Sequence, residues 1–173
     1  MTPNVPKGFR LNGVHCGIKQ HSQQEDVTLI LSESSATAVG VYTQNVIRAA
    51  PVNLDEQRTP SESFQALIIN SGNANACTGN RGLADAIRTT EIVAETCALS
   101  AEQVLVLSTG IIGEYLPMER ITEGITSAAR SLRDDREHLE AAARGMMTTD
   151  TVPKISGREI NTAHGPVRIT GLA

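Results

Sequence analysis

The chain has 173 residues, 15 Lys+Arg against 19 Asp+Glu, a net charge of -4, and 40% hydrophobic but only 2% aromatic residues. That length suits one domain or one piece of a larger one, and the composition argues against wholesale disorder. The acidic balance and four aromatics (Phe9, Tyr42, Phe64, Tyr115) argue against a nucleic-acid surface, which needs positive charge and stacking platforms.

No apolar run approaches the ~20 residues that span a bilayer, and Met1–Arg10 lacks the apolar core of a signal peptide. Cys16, Cys77 and Cys97 are odd in number and widely spaced, which reads as reduced thiols in a cytoplasmic protein. His15, His21, His138 and His164 give neither HExxH nor a zinc spacing.

In chain order, residues 9–19 read as a strand weakened by Gly13 and Gly17. Residues 27–31 (Val-Thr-Leu-Ile-Leu) and 37–43 read as two strands of a hairpin, with Ser32–Ser35 as its polar turn. Pro51 and Pro60 bracket a loop or edge segment. Residues 66–69 (Ala-Leu-Ile-Ile) form a continuous apolar run, the pattern of a strand buried on both faces.

Helical spacing takes over in the second half. Leu83, Ala86, Ile87, Thr90, Ala94 and Cys97 make the stripe of a helix resting on a sheet. Ser100 is placed to cap a short turn before a second buried strand, 104–107. Pro117 sits where a helix begins, followed by Met118, Ile121, Ile125, Ala128 and Leu132. Asp134 or Asp135 is placed to cap a third helix carrying Leu139, Ala142, Ala143 and Met146, with Arg133–Glu137 as its solvated entrance. Residues 155–160 and 166–170 read as a hairpin around His164-Gly165. The sequence then stops at Ala173 in what reads as a strand. That fits either a last strand or a fragment whose partner strands belong to a second chain.

Three runs could carry chemistry. Asn70–Gly82 (NSGNANACTGNRG) follows a buried strand and precedes a helix. Its glycines and asparagines permit left-handed backbone and free N–H groups that suit an anion. It is neither GxxxxGK[ST] nor GxGxxG, and turns in which the asparagines bond their own backbone are the commoner meaning. Ser108-Thr109-Gly110 follows the second buried strand, where a hydroxyl and an amide are placed to donate to an oxyanion, although a plain glycine turn fits as well. Met147–Thr151 offers three hydroxyls and a carboxylate to a polar substrate, or a set of helix-ending turns. Cys77 and Cys97 have no histidine near them in sequence and read as buried structural thiols, and no histidine gains an acid–base role.

Taken together and in this order, three runs closely resemble the glutamate N-acetyltransferase (ornithine acetyltransferase) family of arginine biosynthesis. They are Asn70–Gly79, Ser108–Gly113 (STGIIG) and Met147–Lys154 (MTTDTVPK). Gly8-Phe9-Arg10, Gly17-Ile18-Lys19, Val39–Thr43 and Ala49–Val52 match as well, so the resemblance spans essentially the whole chain. It implies an α/β (α+β) fold, an αββα sandwich of the N-terminal-nucleophile type, with residues 1–173 as a single domain completed by a second (β) chain. Members cut themselves before a threonine. That threonine heads the β chain, takes acetyl from N-acetylornithine and passes it to glutamate, in an α2β2 heterotetramer; some members also accept acetyl-CoA. No cofactor, metal, nucleic acid or membrane is implied, and the setting is cytoplasmic.

By the same resemblance Thr109 (hydroxyl) and Gly110 (backbone N–H) match the family's oxyanion pair, and Thr148 matches a substrate-contacting threonine. Asn70–Gly79 matches a signature without a catalytic role. In the family, the strand like Ile169–Ala173 leads into a Lys-Gly-rich segment with a substrate-binding lysine and then a Met-Ala-Thr cleavage site. The sequence stops before both, so it looks like an α chain lacking its last residues. An N-terminal threonine carries its own base, an α-amine with pKa near ~8, which is consistent with the idle histidines. Two other readings remain: an amidase or aminopeptidase of similar self-cleaving fold, and a non-catalytic anion-binding module built on the Asn/Gly loop. As an α chain, the polypeptide alone should be inert and poorly soluble, with an unpaired strand edge.

Overall fold

Alternating apolar residues dominate the first half and helical stripes the second. The computed structural model, which describes residues 4–20 and 22–173, resolves them into a sheet and its covering helices. His21 and the first three residues of Met1–Arg10 lie outside the described residues. Strands β1 (Phe9–Val14), β2 (Val27–Ala38), β3 (Ser61–Asn73) and β4 (Val104–Ile111) lie in the order β1-β2-β3-β4. The first two pairings are antiparallel. β3 and β4 are parallel, joined through helix α2 (Gly79–Cys97), as a parallel pair requires.

Strand alternation sorts the side chains between two faces. Val27, Leu29, Ala66, Ile68, Val104 and Val106 pack into the main core with Ala86 and Val93 of α2 and Ile121 and Ile125 of α3 (Met118–Arg130). On the opposite face, α4 (Arg136–Gly145) covers the β1 end, where Leu11 packs with Leu139 and Ala142. Gly13 permits that approach, since a Cβ there would lie 2.0 Å from the Ala141 carbonyl oxygen. Towards β3 and β4 the same face opens as a groove lined by Leu67, Ile69 and Leu107. Strands β5 (Ile155–Thr162) and β6 (Gly165–Leu172) form a separate hairpin whose Ile155 and Leu172 pack beside the α4 cluster.

The expected hairpin over 27–43 is corrected. Ser32–Ser35 lies within one long strand, β2, which runs to Ala38. The segment has no Gly, Pro or Asn to set a turn. A register shift between Leu31 and Ala36 lets β2 continue against Phe64 and Ser61 of β3. Residues 39–43 lie outside any strand, and Val39 and Val41 are exposed. The expected loop after Pro51 is instead helix α1 (Ala50–Arg58), with Pro51 in its first turn, where no N–H is needed. The first strand ends at Val14, and Gly17 turns the chain at φ +88°. In α2 the buried residues are Gly82, Ala86, Thr89, Thr90, Ile92, Val93 and Ala94, while Leu83 and Ile87 are exposed. The two apolar strands are buried on one face only, with Leu67 and Leu105 half-buried and Leu107 exposed on the other, and Leu132 and Met146 lie just past the ends of α3 and α4. Other expectations match: Ser100 forms a capping box, Asp135 caps α4 by accepting the His138 N–H at 3.0 Å, and β5 and β6 pair across His164-Gly165.

Candidate active site

The residues singled out by sequence gather at the C-terminal end of β4. The register pairs Asn70 with Ser108, Ser71 with Thr109 and Gly72 with Gly110. Leu105 and Leu107 point to the open face, and alternation sends the Thr109 side chain the same way. Thr109 lines a groove of about 470 Å³ together with Leu67, Ile69, Leu107, Met146 and the terminal Ala173.

The outer edge of β4 is half closed. Val106 donates its N–H to the Asp55 carboxylate at 3.1 and 3.3 Å, and Arg58 donates to the Val104 carbonyl at 2.7 Å. Two α1 side chains thus occupy hydrogen-bonding positions that a neighbouring strand would fill. Burial pushes the Asp55 carboxyl up to about 7, against the Val106 N–H and the Arg58 charge, which pull it down. Polar groups of alternate residues face the same edge, so those of Ser108 and Gly110 follow Val104 and Val106 outward. Ile111, of the other parity, turns inward and accepts the Ala74 N–H at 2.9 Å. The Gly110 N–H is therefore presented on an edge that no strand pairs with among the described residues.

Gly110 sits at φ +137° against Gly72 at φ +108°, and a Cβ on it would lie 2.3 Å from the Gly72 carbonyl carbon. Only glycine fits there. Around this pair the register slips, with Asn73 opposite both Thr109 and Ile111. Behind Gly72, the loop at 16–19 is bound by buried Asp26, whose carboxylate accepts the N–H groups of Cys16, Gly17, Ile18 and Lys19 at 2.7, 2.9, 2.7 and 3.2 Å.

The Asn/Gly run takes its turn-forming role. Asn75 is buried at φ +47°, donates to the Gly82 carbonyl at 2.8 Å and accepts the Thr78 hydroxyl at 2.8 Å. Asn73 donates to the carbonyls of Glu114 and Tyr115 at 3.2 and 3.1 Å. These amides hold the protein's own backbone.

Thr148 is exposed in the bend after α4 and is not among the groove's lining residues; Met146, two residues earlier, is. The end of α4 is fixed by hydroxyls from the sheet. Thr28 donates to the Ala142 carbonyl at 2.8 Å and Ser71 to that of Gly145 at 2.6 Å, satisfying carbonyls that a helix end leaves free. Thr109 and Gly110 are thus adjacent on β4, and Met146 lines the same groove as Thr109, whereas Thr148 does not.

Cys77 is exposed at φ +58°, not buried; Cys97 is half-buried, and burial pushes its thiol up. His15 lies just past β1 with Nδ1 2.9 Å from the Gln24 carbonyl, and His164 is in the β5–β6 turn. Asp55 and Asp26 escaped the sequence reading. Each acts on residues distant in the chain or through a carboxylate in an ordinary-looking polar stretch, and no local pattern marks either.

A model of the ArgJ family matches residues 10–173. The chain is 46% identical over 167 residues to the arginine biosynthesis bifunctional protein ArgJ of Geobacter sulfurreducens, covering 96% of this chain and 42% of that protein. It is 45% identical to the protein of that name from Caldanaerobacter subterraneus, with 98% and 41% covered. The chain therefore spans about two fifths of the length of these curated relatives. Its fold matches a crystal structure of the Bacillus halodurans ArgJ protein with a TM-score of 0.92 at 38% identity, over 98% of this chain and 88% of that one. It matches ornithine acetyltransferase complexed with ornithine, from Mycobacterium tuberculosis, with a TM-score of 0.91 at 36% identity, over 99% and 91%.

Proposed function

Because this chain belongs to the ArgJ family and forms its N-terminal, α, region, we propose that it is the α part of an acetyltransferase moving acetyl from N-acetylornithine to glutamate. Residues 1–173 act as one domain. The αββα sandwich is completed by a β chain that begins with the nucleophilic threonine, released by self-cleavage, and two of each chain assemble as α2β2. Among the described residues no helix is long and apolar enough to cross a membrane, and the cytoplasm is the proposed setting.

One observation carries the reading: Thr109 and the free-edge Gly110 lie together beside an apolar groove that also holds Ala173. Ala173 and Thr109 line one groove, which supports a β-chain nucleophile acting there. The threonine Oγ attacks the acetyl carbonyl while its α-amine takes the hydroxyl proton. The Thr109 hydroxyl and Gly110 N–H donate to the oxygen that gains charge. Collapse expels the ornithine amine, which takes back the proton, and leaves an acetyl ester on the threonine. The glutamate amine then attacks the ester, giving up a proton to the α-amine, and the same two donors serve the second oxyanion; its collapse breaks the ester C–O bond, the proton returns to the threonine Oγ, and N-acetylglutamate leaves. Thr148, exposed two residues past Met146, contacts substrate.

The test is expression of the full-length protein, this chain with the remainder its relatives carry, followed by intact mass, N-terminal sequencing and product analysis. The expected result is a second co-purifying polypeptide that starts with threonine, and N-acetylglutamate formed from N-acetylornithine and glutamate. An uncleaved chain, or acetate released to water with no N-acetylglutamate, overturns the reading; the second result would make the protein an amidase.

A further inference from the structure

We propose that Asn70 is a positioning residue, whose side chain sets the backbone kink that aims the Gly110 N–H. The inference rests on the oxyanion reading of Thr109 and Gly110. Asn70 is buried on β3, directly opposite Ser108 in the register. Its Oδ1 accepts the Ser108 hydroxyl at 2.6 Å, which ties it to the residue before Thr109. Its Nδ2 donates to the Asn73 carbonyl at 2.8 Å, across the point where the β3–β4 register slips.

One amide therefore grips both strands around Gly72 and Gly110. These glycines face each other at φ +108° and +137°, with no room for a side chain on Gly110. Two facing glycines have wide conformational freedom, so the direction of the Gly110 N–H must be imposed from outside. Irregularities of this kind re-aim groups beside active sites. Asn73 extends the brace by holding the carbonyls of Glu114 and Tyr115, which follow β4. The asparagine-rich run thus serves as the frame behind the oxyanion donors without touching substrate.

Aspartate at position 70 keeps the shape and the acceptor for Ser108 but replaces the donor to the Asn73 carbonyl with an oxygen that repels it. An oxyanion donor acts in the transition state, so a misaimed one lowers kcat and leaves KM in place. In the assembled, processed enzyme, Asn70→Asp is expected to lower kcat by about tenfold or more, with KM for N-acetylornithine and for glutamate within about twofold. Wild-type kcat, or a loss confined to KM, overturns the proposal. Should Asn70→Asp fail to fold, Ser108→Ala carries the test: a fall in kcat of several-fold at unchanged KM is expected, and wild-type kcat overturns the proposal. Thr109→Ala is assayed alongside. Full turnover there removes the oxyanion reading itself, whereas an impaired Thr109→Ala beside a wild-type-like Asn70→Asp removes only the role of Asn70.

Discussion

At the scale of single residues, the strongest chemical commitment is the Thr109 hydroxyl. Its side chain lines the groove and its neighbours on β4 and β3 hold the backbone, so truncating it removes a donor without opening the core. In the proposed mechanism that hydroxyl is one of two oxyanion donors, and loss of one such donor costs about 100- to 1000-fold in turnover. Thr109→Ala should therefore lose about 100-fold or more in kcat/KM with a melting temperature close to wild type, and Thr109→Ser, which keeps the hydroxyl, should retain most of the activity. Steady-state kinetics on the three proteins decide it, and equal losses in the Ala and Ser variants would show that the methyl group, not the hydroxyl, matters. Ser108-Thr109-Gly110 was legible in sequence because a hydroxyl and a glycine at the end of an apolar strand are a local pattern. The parts played by Asn70 and Asn73 were not. An asparagine that bonds across strands and one that bonds its own turn look alike in sequence, and only the parallel β3–β4 register separates them.

At the scale of elements, helix α1 closes the β4 edge through a buried carboxylate, and this carries a pH signature. Asp55 titrates near 4 in the unfolded chain and is pushed up to about 7 by burial in the fold. Between those values the folded state binds more protons than the unfolded one, so this group's contribution to stability falls as pH rises from about 4 to about 7 and levels off above. An asparagine in its place would still accept the Val106 N–H but would not titrate. Asp55→Asn should therefore raise the melting temperature over wild type by a margin that grows from about pH 5 to about pH 7.5. Calorimetric scans of the assembled protein across that range test it; a constant offset at every pH would mean that the carboxyl does not titrate there. The same helix shows where sequence reading stops. Long stripes such as Ile121-Ile125-Ala128 in α3 declare themselves by spacing. Helix α1 has no such stripe and is fixed by Asp55 and Arg58 on β4, contacts to residues about fifty positions away. Likewise Ser32–Ser35 reads as a turn by polarity, yet the residues on either side of it, Leu31 and Ala36, both pair with β3 and carry the strand through the irregularity.

At the scale of the whole molecule, one face of the sheet is finished and the other is not. The face under α2 and α3 is sealed by Val27, Leu29, Ile68 and Val104. The other carries the groove of Leu67, Ile69 and Leu107, and Leu67 and Leu107 also line an adjoining cavity with Val39 and Val41, both largely exposed. Contiguous exposed apolar surface of this kind marks an interface, and the chain spans about two fifths of relatives whose remaining length is available to cover it. The free edge of β4 beyond the Asp55–Arg58 plug adds unpaired backbone groups to the same region. Produced alone, residues 1–173 should therefore self-associate and bind a hydrophobic dye, and should do neither when produced with the remainder of the full-length protein. Light scattering and dye fluorescence on the two preparations measure the difference. A monodisperse isolated chain that binds no dye would mean that this face needs no cover, and would leave Thr109 and Gly110, the proposed oxyanion donors, without the second layer that the proposed nucleophile must come from.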